Sequence, residues 1–82
     1  MKMFKTIDIR GLSFFSAMQL ASEEFVHIKK NGILEVIIDK RRNITDAISR
    51  WAKNQGYKIS DIKDDPRMVR LFIRKNSQAI KI

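Results

Sequence analysis

The residues best placed to do chemistry lie where a short apolar strand is followed by a helix. Residues 10–19 read Arg-Gly-Leu-Ser-Phe-Phe-Ser-Ala-Met-Gln. A helix N-terminus carries unpaired N–H groups and a partial positive charge, so it can bind an anion or stabilise a thiolate. Ser13 and Ser16 place hydroxyls at this start, but Phe14 and Phe15 occupy the positions that would face the site. The segment therefore has the form of an anion site without a reactive group.

Nucleophilic catalysis by either serine would need a neighbouring base. The only histidine, His27, lies at the other end of the same predicted helix, about 20 Å away at 1.5 Å per residue. Helix capping accounts for both hydroxyls without catalysis. The chain has no cysteine, which excludes a disulfide, a thiolate nucleophile and a cysteine-ligated zinc. We therefore expect no catalytic residue, no metal and no cofactor.

Carboxylates offer the other route to catalysis. Asp8, Asp39 and Asp46 could in principle perform acid–base work, which requires convergent groups in a pocket. A two-layer domain of 82 residues has little room for such a pocket. Solvated surface carboxylates are the preferred interpretation, and the sequence predicts a protein that is not an enzyme.

The net charge bears on the kind of partner. Seventeen Lys and Arg residues against nine Asp and Glu residues give a formal charge of +8. This excess favours nucleic acid, an anionic membrane or an acidic protein, although a generally basic solvated surface explains it equally well. No apolar run approaches the roughly 20 residues that span a bilayer, and no apolar stretch of a signal peptide follows Met1–Lys5. We expect a soluble cytoplasmic protein that does not associate with membranes.

Hydrophobic periodicity divides the first half of the chain into a strand and a helix. The alternation in Lys5–Ile9 predicts a half-buried strand with Ile7 and Ile9 in the core. The helix should begin at a cap, either Ser16 in a capping box or Ser13 one turn earlier, and run to about residue 30. The dipeptide that follows, Asn31-Gly32, predicts its end.

The second half predicts a strand, a helix and two further strands. Ile33–Ile38 gives the strongest strand signal, and the second helix should run from an Asn43 cap to Gly56, with Trp51 among its buried residues. Tyr57–Lys63 indicates a strand with a bulge near Ser60, and Met68–Arg74 alternates cleanly. Residues 76–82 are expected to form a loose tail.

The predicted order is therefore βαβαββ in one domain with a core of about residues 5–75. Right-handed crossovers place both helices on the same face of one four-stranded sheet. The sheet is mixed because its last two strands form an antiparallel hairpin. The fold class is a two-layer α/β sandwich of the α+β type, with one face of the sheet uncovered.

Several segments resemble the TusA/SirA-like sulfur-carrier family over nearly the whole chain. They are Ile7–Ser13, Leu34–Ile38 with Asp39, Trp51-Ala52-Lys53 before Gly56-Tyr57, and Phe72-Ile73-Arg74-Lys75. The resemblance implies the same βαβαββ fold, similar to the C-terminal domain of translation initiation factor 3. The family carries a persulfide on a cysteine in a Cys-Pro-x-Pro segment directly after Gly-Leu-Ser and passes the sulfur along a relay.

This chain departs from that motif at each position that matters. Phe14 stands at the cysteine, Phe15 and Ala17 stand at the two prolines, and Ser16 lies between them. Phenylalanine cannot hold sulfur, so the resemblance implies a non-catalytic binding or regulatory module with a protein partner of the sulfur-relay kind. We expect one of the two phenylalanines to plug the old site into the core, since two exposed rings would be a liability.

A second function follows from the uncovered face of the sheet. An aromatic flanked by arginines on a bare sheet can stack a base and neutralise phosphates, which predicts RNA binding. The apolar residues Ile37, Met68 and Phe72 expected on that face fit a homodimer about equally well. The candidate nucleic-acid residues are Arg10, Lys40, Arg41, Arg42, Arg70, Phe72 and Arg74.

Overall fold

The computed structural model of the chain describes residues 2–76. Within them the predicted βαβαββ order is confirmed. The elements are β1 (Lys2–Asp8), α1 (Phe14–Val26), β2 (Ile28–Asp39), α2 (Arg42–Asn54), β3 (Lys58–Asp64) and β4 (Met68–Arg74).

The four strands form one mixed sheet in the spatial order β1-β2-β4-β3. β1 and β2 are parallel, as the crossover through α1 requires, and β4 is antiparallel to both β2 and β3. The predicted bulge in β3 is confirmed, because the pairing register shifts between Ile59 and Asp61. The expected tail lies outside the described residues except for Asn76, whose N–H donates to the carbonyl of Arg74 at 3.0 Å.

One face of the sheet packs against both helices and carries the core, while the other is uncovered. The alternation predicted for β1, β2 and β4 places the expected residues in the core. Sheet residues of the core are Ile7, Ile28, Leu34, Val36, Ile38, Leu71 and Ile73. In α2 the buried row is Ile44, Ile48 and Ala52, so Trp51 lies at its margin and is half-buried.

The predicted end of the first helix is wrong. α1 ends at Val26, with His27 as its C-cap, and the next residue, Ile28, is buried as the first residue of β2. Because Ile28 pairs with Lys2, β1 also begins three residues earlier than predicted. Asn31 does adopt the left-handed conformation, with φ of 66°, but it does so inside β2, where the register against β1 shifts.

One of the two alternative caps predicted for the first helix is found, whereas the cap predicted for the second helix is not. Ser13 is the N-cap of α1, and its hydroxyl accepts a hydrogen bond from the Ser16 N–H at 3.1 Å, so the alternative cap at Ser16 is wrong. The predicted Asn43 cap of α2 is also wrong, because Arg41 occupies that position without a side-chain cap. The predicted stop after α2 is confirmed: Gly56 has φ of 84° and donates its N–H to the Lys53 carbonyl.

Candidate functional site

The loop between β1 and α1 is held by one carboxylate and one guanidinium. Asp39, at the end of β2, accepts the Gly11 N–H at 3.0 Å and also pairs with the Arg41 side chain. Arg41 reaches further and donates to the Leu12 carbonyl at 2.6 Å. Gly11 has φ of 79°, a conformation that glycine adopts without steric cost. The segment that resembles the sulfur-carrier site is therefore tied to the sheet directly before α1 begins.

Two of the acidic residues at this end of the sheet, Asp8 and Asp39, have pKa values that their neighbours lower. The Arg41 side chain and then the Gly11 N–H hold the pKa of Asp39 below its usual range. Asp8 accepts two side-chain hydrogen bonds from Arg10 and a third from its backbone N–H, which lower the pKa of Asp8 to about 2. These carboxylates accept hydrogen bonds that hold the loop. Their lowered pKa values are the opposite of the raised pKa expected of a general acid.

The two phenylalanines at the start of α1 are both exposed. Phe14 is 47 % exposed and Phe15 is 74 % exposed, so the prediction that one ring plugs the old site is wrong. The buried row of α1 begins only at Ala17, which is fully buried, and continues to Ala21 and Phe25. Because both rings precede that row, the first turn of α1 presents them to solvent. Two exposed aromatic rings thus lie at a helix start that Asp39 and Arg41 hold in place.

Phe15 is continuous with a shallow groove between α1 and α2. Met18, Gln19 and Ser22 form one wall along α1, and the half-buried Trp51 of α2 forms the other. A second groove continues past Ser22 and Trp51 to the exposed Val26 at the end of α1. On the helical pattern of α1, Val26 lies outside the apolar stripe. In the tertiary structure it lies at the far end of the second groove. The two grooves thus bring Phe15, Met18, Trp51 and Val26 together with the polar Gln19 and Ser22.

The open face of the sheet contains a nearly buried carboxylate. Glu35 is 8 % exposed, accepts a hydrogen bond from the Thr6 hydroxyl at 2.7 Å, and pairs with Arg70 across the sheet at 3.4 Å. Phe72 lies beside Glu35 in the β2–β4 register and is half-buried. The Arg70 Nε is buried without a hydrogen-bond partner among the described residues. Glu35 thus neutralises the arginine that the sequence assigns to phosphate binding.

Most of the cations predicted to bind nucleic acid are already paired. Arg10 pairs with Asp8, Arg41 with Asp39 and Arg70 with Glu35. Lys40 pairs with Asp64, and its ammonium group also donates to the Asp65 carbonyl. Over residues 2–76 only Arg42 and Arg74 of the predicted set form no ion pair, and Arg74 donates to the Asn31 carbonyl at 2.9 Å. The predicted cations are therefore weaker ligands for an outside anion than their sequence suggests.

A second set of cations, which shares only Arg74 with the predicted set, lies at the opposite end of the sheet. Lys2 pairs with the first residue of β2, and Arg74, at the end of β4, pairs with both Ile33 and Lys58. None of these cations forms an ion pair within the described range. We call this set the basic end: Lys2, Lys29, Lys30, Lys58 and Arg74.

An aromatic residue that sequence reasoning missed lies beside the basic end. Phe4 is 52 % exposed and aligns across the sheet with Ile33, Arg74 and Lys58, so its ring is on the open face. Taking the first strand from Lys5 excluded it. The alternation of Phe4, Thr6 and Asp8 with apolar Met3, Ile7 and Ile9 would have included it, apart from Lys5, which breaks the pattern.

The described part of the chain contains neither a cluster of metal-ligating side chains nor a helix that could span a membrane. Residues 2–76 contain no group of three or more His, Cys, Asp or Glu side chains able to hold a metal ion. Neither described helix has the length and hydropathy needed to cross a bilayer.

Comparison with known proteins assigns no family. No protein-family model matches the chain, and no curated protein is significantly similar to it.

Proposed function

We propose that this protein is a non-catalytic binding module with the fold expected of the TusA/SirA-like sulfur carriers, and that it binds a protein partner through Phe14 and Phe15. The observation that carries the proposal is the exposure of both rings on a helix start that Asp39 and Arg41 hold in place. An aromatic pair on a fixed element can enter a partner's pocket with little loss of conformational entropy.

The position of the pair supports a partner of the sulfur-relay kind. In the family that the sequence resembles, the group at Phe14 is the one offered to a sulfur donor. Here the same helix start, capped by the Ser13 hydroxyl, offers an apolar surface that continues into the α1–α2 groove. The partner would bind a helix start like that of a sulfur carrier, but no sulfur could be transferred because the chain has no thiol.

Restoring the thiol tests this proposal. The double substitution Phe14→Cys with Phe15→Pro should gain one sulfur atom when incubated with a cysteine desulfurase and cysteine, as read by intact-protein mass spectrometry. The introduced thiolate would attack the terminal sulfur of the donor's persulfide, forming a new S–S bond and releasing the donor's thiolate. The helix N-terminus favours this by lowering the thiol pKa.

The matched control places a thiol at the other end of the same helix. Val26→Cys is also exposed, at 61 % for the native side chain, but it lies where the helix dipole disfavours a thiolate. Sulfur gain by the first variant alone supports a preserved donor surface. Equal gain by both variants, or none by either, would contradict the proposal.

A second candidate function, RNA binding on the open face, is favoured by one separate observation. The uncovered face carries two aromatic residues on different strands, Phe4 and Phe72, and the cations at one end of it form no ion pair among residues 2–76. A homodimer through this face stays an alternative. Sedimentation at micromolar concentration would distinguish the two, since a monomer leaves the face available to a ligand.

A further inference from the structure

We propose that the basic end, together with Phe4 and Phe72, binds a single-stranded nucleic acid. The proposal rests on the second candidate function, RNA binding on the open face, and assigns the phosphate contacts to the basic end instead of the cations predicted from the sequence. The cations expected from the sequence are mostly neutralised within the chain, whereas those of the basic end form no ion pair among residues 2–76. Unpaired cations attract phosphates most strongly because no internal carboxylate has to be displaced.

The strand directions determine this separation of charge. β1, β2 and β3 begin at the basic end and finish at the other, where Asp8, Asp39 and Asp64 are their last residues. Each of those carboxylates pairs with a cation of its own end. These three strand-terminal acids therefore lie at the end of the sheet away from the basic end, where the nearest ion pair joins Lys5 to Glu24 at 3.7 Å.

The aromatic residues lie within reach of the same ligand. Phe4, Ile33, Arg74 and Lys58 form one row across all four strands, a span of about 14 Å at 4.8 Å between strands. Phe72 lies two residues from Arg74 along β4, in the next row of the open face. A chain that crosses this row can stack bases on the rings while the lysines contact its phosphates.

The surroundings of Phe72 favour nucleic acid over a membrane. The exposed Asp61 lies in its row and would have to leave water if the rings entered a bilayer. A single strand needs only stacking and phosphate contacts and leaves the row hydrated. The exposed bases of a single strand also suit a flat sheet better than a duplex, whose bases are stacked inside.

The experiment compares two triple variants that remove the same charge. Lys29→Gln, Lys30→Gln and Lys58→Gln neutralise the basic end. Arg42→Gln, Arg50→Gln and Arg67→Gln neutralise three exposed cations elsewhere that also form no ion pair within residues 2–76. Fluorescence anisotropy would follow a labelled RNA of about 12 nucleotides, within the site sizes of single-strand binders, and a labelled DNA duplex. Each titration is run at about 50 and 200 mM salt.

We expect the wild type to bind the single strand more tightly than the duplex. The basic-end variant should lose about tenfold or more in affinity, and its salt slope should fall by about 2, since each phosphate contact contributes about 0.7. The control triple variant should keep a slope close to that of the wild type. Phe4→Leu keeps an apolar side chain but removes stacking, so it should weaken binding by about tenfold without changing the slope.

The outcomes separate the location from the function. RNA binding that both triple variants weaken equally would overturn the basic end as the site while leaving nucleic-acid binding intact. Absence of wild-type binding at either salt concentration would overturn both, and the protein-binding function would be unaffected. Binding to anionic vesicles but not to RNA, lost in the basic-end variant, would reassign the surface to a membrane. Circular dichroism of every variant confirms that the fold is retained.

Discussion

The two ends of the sheet are stabilised by different forces. At the end where β1, β2 and β3 finish, three carboxylates each pair with a nearby cation, and one of these pairs ties the β1–α1 loop to the sheet. The five cations of the basic end form no ion pair within residues 2–76, although the neighbouring Lys5 pairs with Glu24 at 3.7 Å. Instead Phe25, Trp51 and Tyr57 pack together beneath it, with ring centroids 4.5–6.4 Å apart.

The difference between the two ends shows how a small domain can leave some of its cations free of ion pairs. Apolar packing stabilises the basic end without consuming its cations. Lys75, which is outside the defined basic end, is used internally: its ammonium lies 5.6 Å from the Phe25 ring centroid and donates to the carbonyls of Phe25 and Val26. At the opposite end Arg10, Lys40 and Arg41 form ion pairs, Arg42 and Arg67 form none among residues 2–76, and the two rings of α1 are exposed. Four predictions test this comparison.

The largest effect is expected from Trp51→Ala. The indole makes an edge-to-face contact with Phe25 at 5.6 Å and is half-buried, so its removal should cost about 3 kcal/mol of the free energy of unfolding. Because the contact is apolar, the loss should be the same at low and high salt in urea titrations. A loss below about 1 kcal/mol would show that the aromatic cluster does not stabilise this end.

Gly32→Ala should cost about 2 kcal/mol through steric overlap alone. A Cβ at this position would lie 2.8 Å from both the Ile28 Cγ2 and the Met3 carbonyl oxygen, inside the segment that presents Lys29 and Lys30. Gly11→Ala is the matched comparison, since a Cβ there meets nothing within 4 Å but must adopt φ of 79°. That variant should lose about 1 kcal/mol, from backbone strain. Equal losses in thermal unfolding would contradict the steric account.

Asp39→Ala should cost about 1–2 kcal/mol, because it leaves the Gly11 N–H and the Arg41 guanidinium without their acceptor. The loss should be smaller at high salt, in contrast to that of Trp51→Ala. Asp65→Ala removes a carboxylate that pairs with no cation in residues 2–76 and should change stability by less than about 0.5 kcal/mol. Similar losses in both variants would mean that the loop is not held by Asp39.

The smallest effect is the acid dependence of Asp8. Its pKa is lowered from 3.8 to about 2 in the folded state, chiefly by the Arg10 side chain. The group therefore contributes stability above pH 3.8, and this contribution is lost as the pH falls through 2. Asp8→Asn should flatten the pH dependence of urea unfolding in that window. Lys58→Gln, at the basic end, should leave the dependence unchanged.

Local sequence signals were sufficient for the sheet and its core. Alternation of apolar and polar residues in β2 and β4 predicts which side chains face the helices, because the pleat has a period of two and one face is buried. The left-handed turn at Gly56 and the bulge in β3 follow from the same kind of local information. The end of α1 could not be predicted in this way, since Asn31 serves equally well as a helix stop and as a bend within a strand.

The sequence by itself determined the βαβαββ order, the buried face of the sheet and the absence of any thiol at the start of α1. Only the tertiary structure decided which cations are available, because an ion pair such as Arg70 with Glu35 joins residues 35 positions apart in the chain. It also decided that Phe4 joins Arg74 and Lys58 in one row, and that both rings of the Phe14-Phe15 pair are exposed. Net charge is a sum over residues, whereas a binding surface depends on which of them the strand directions bring to the same end.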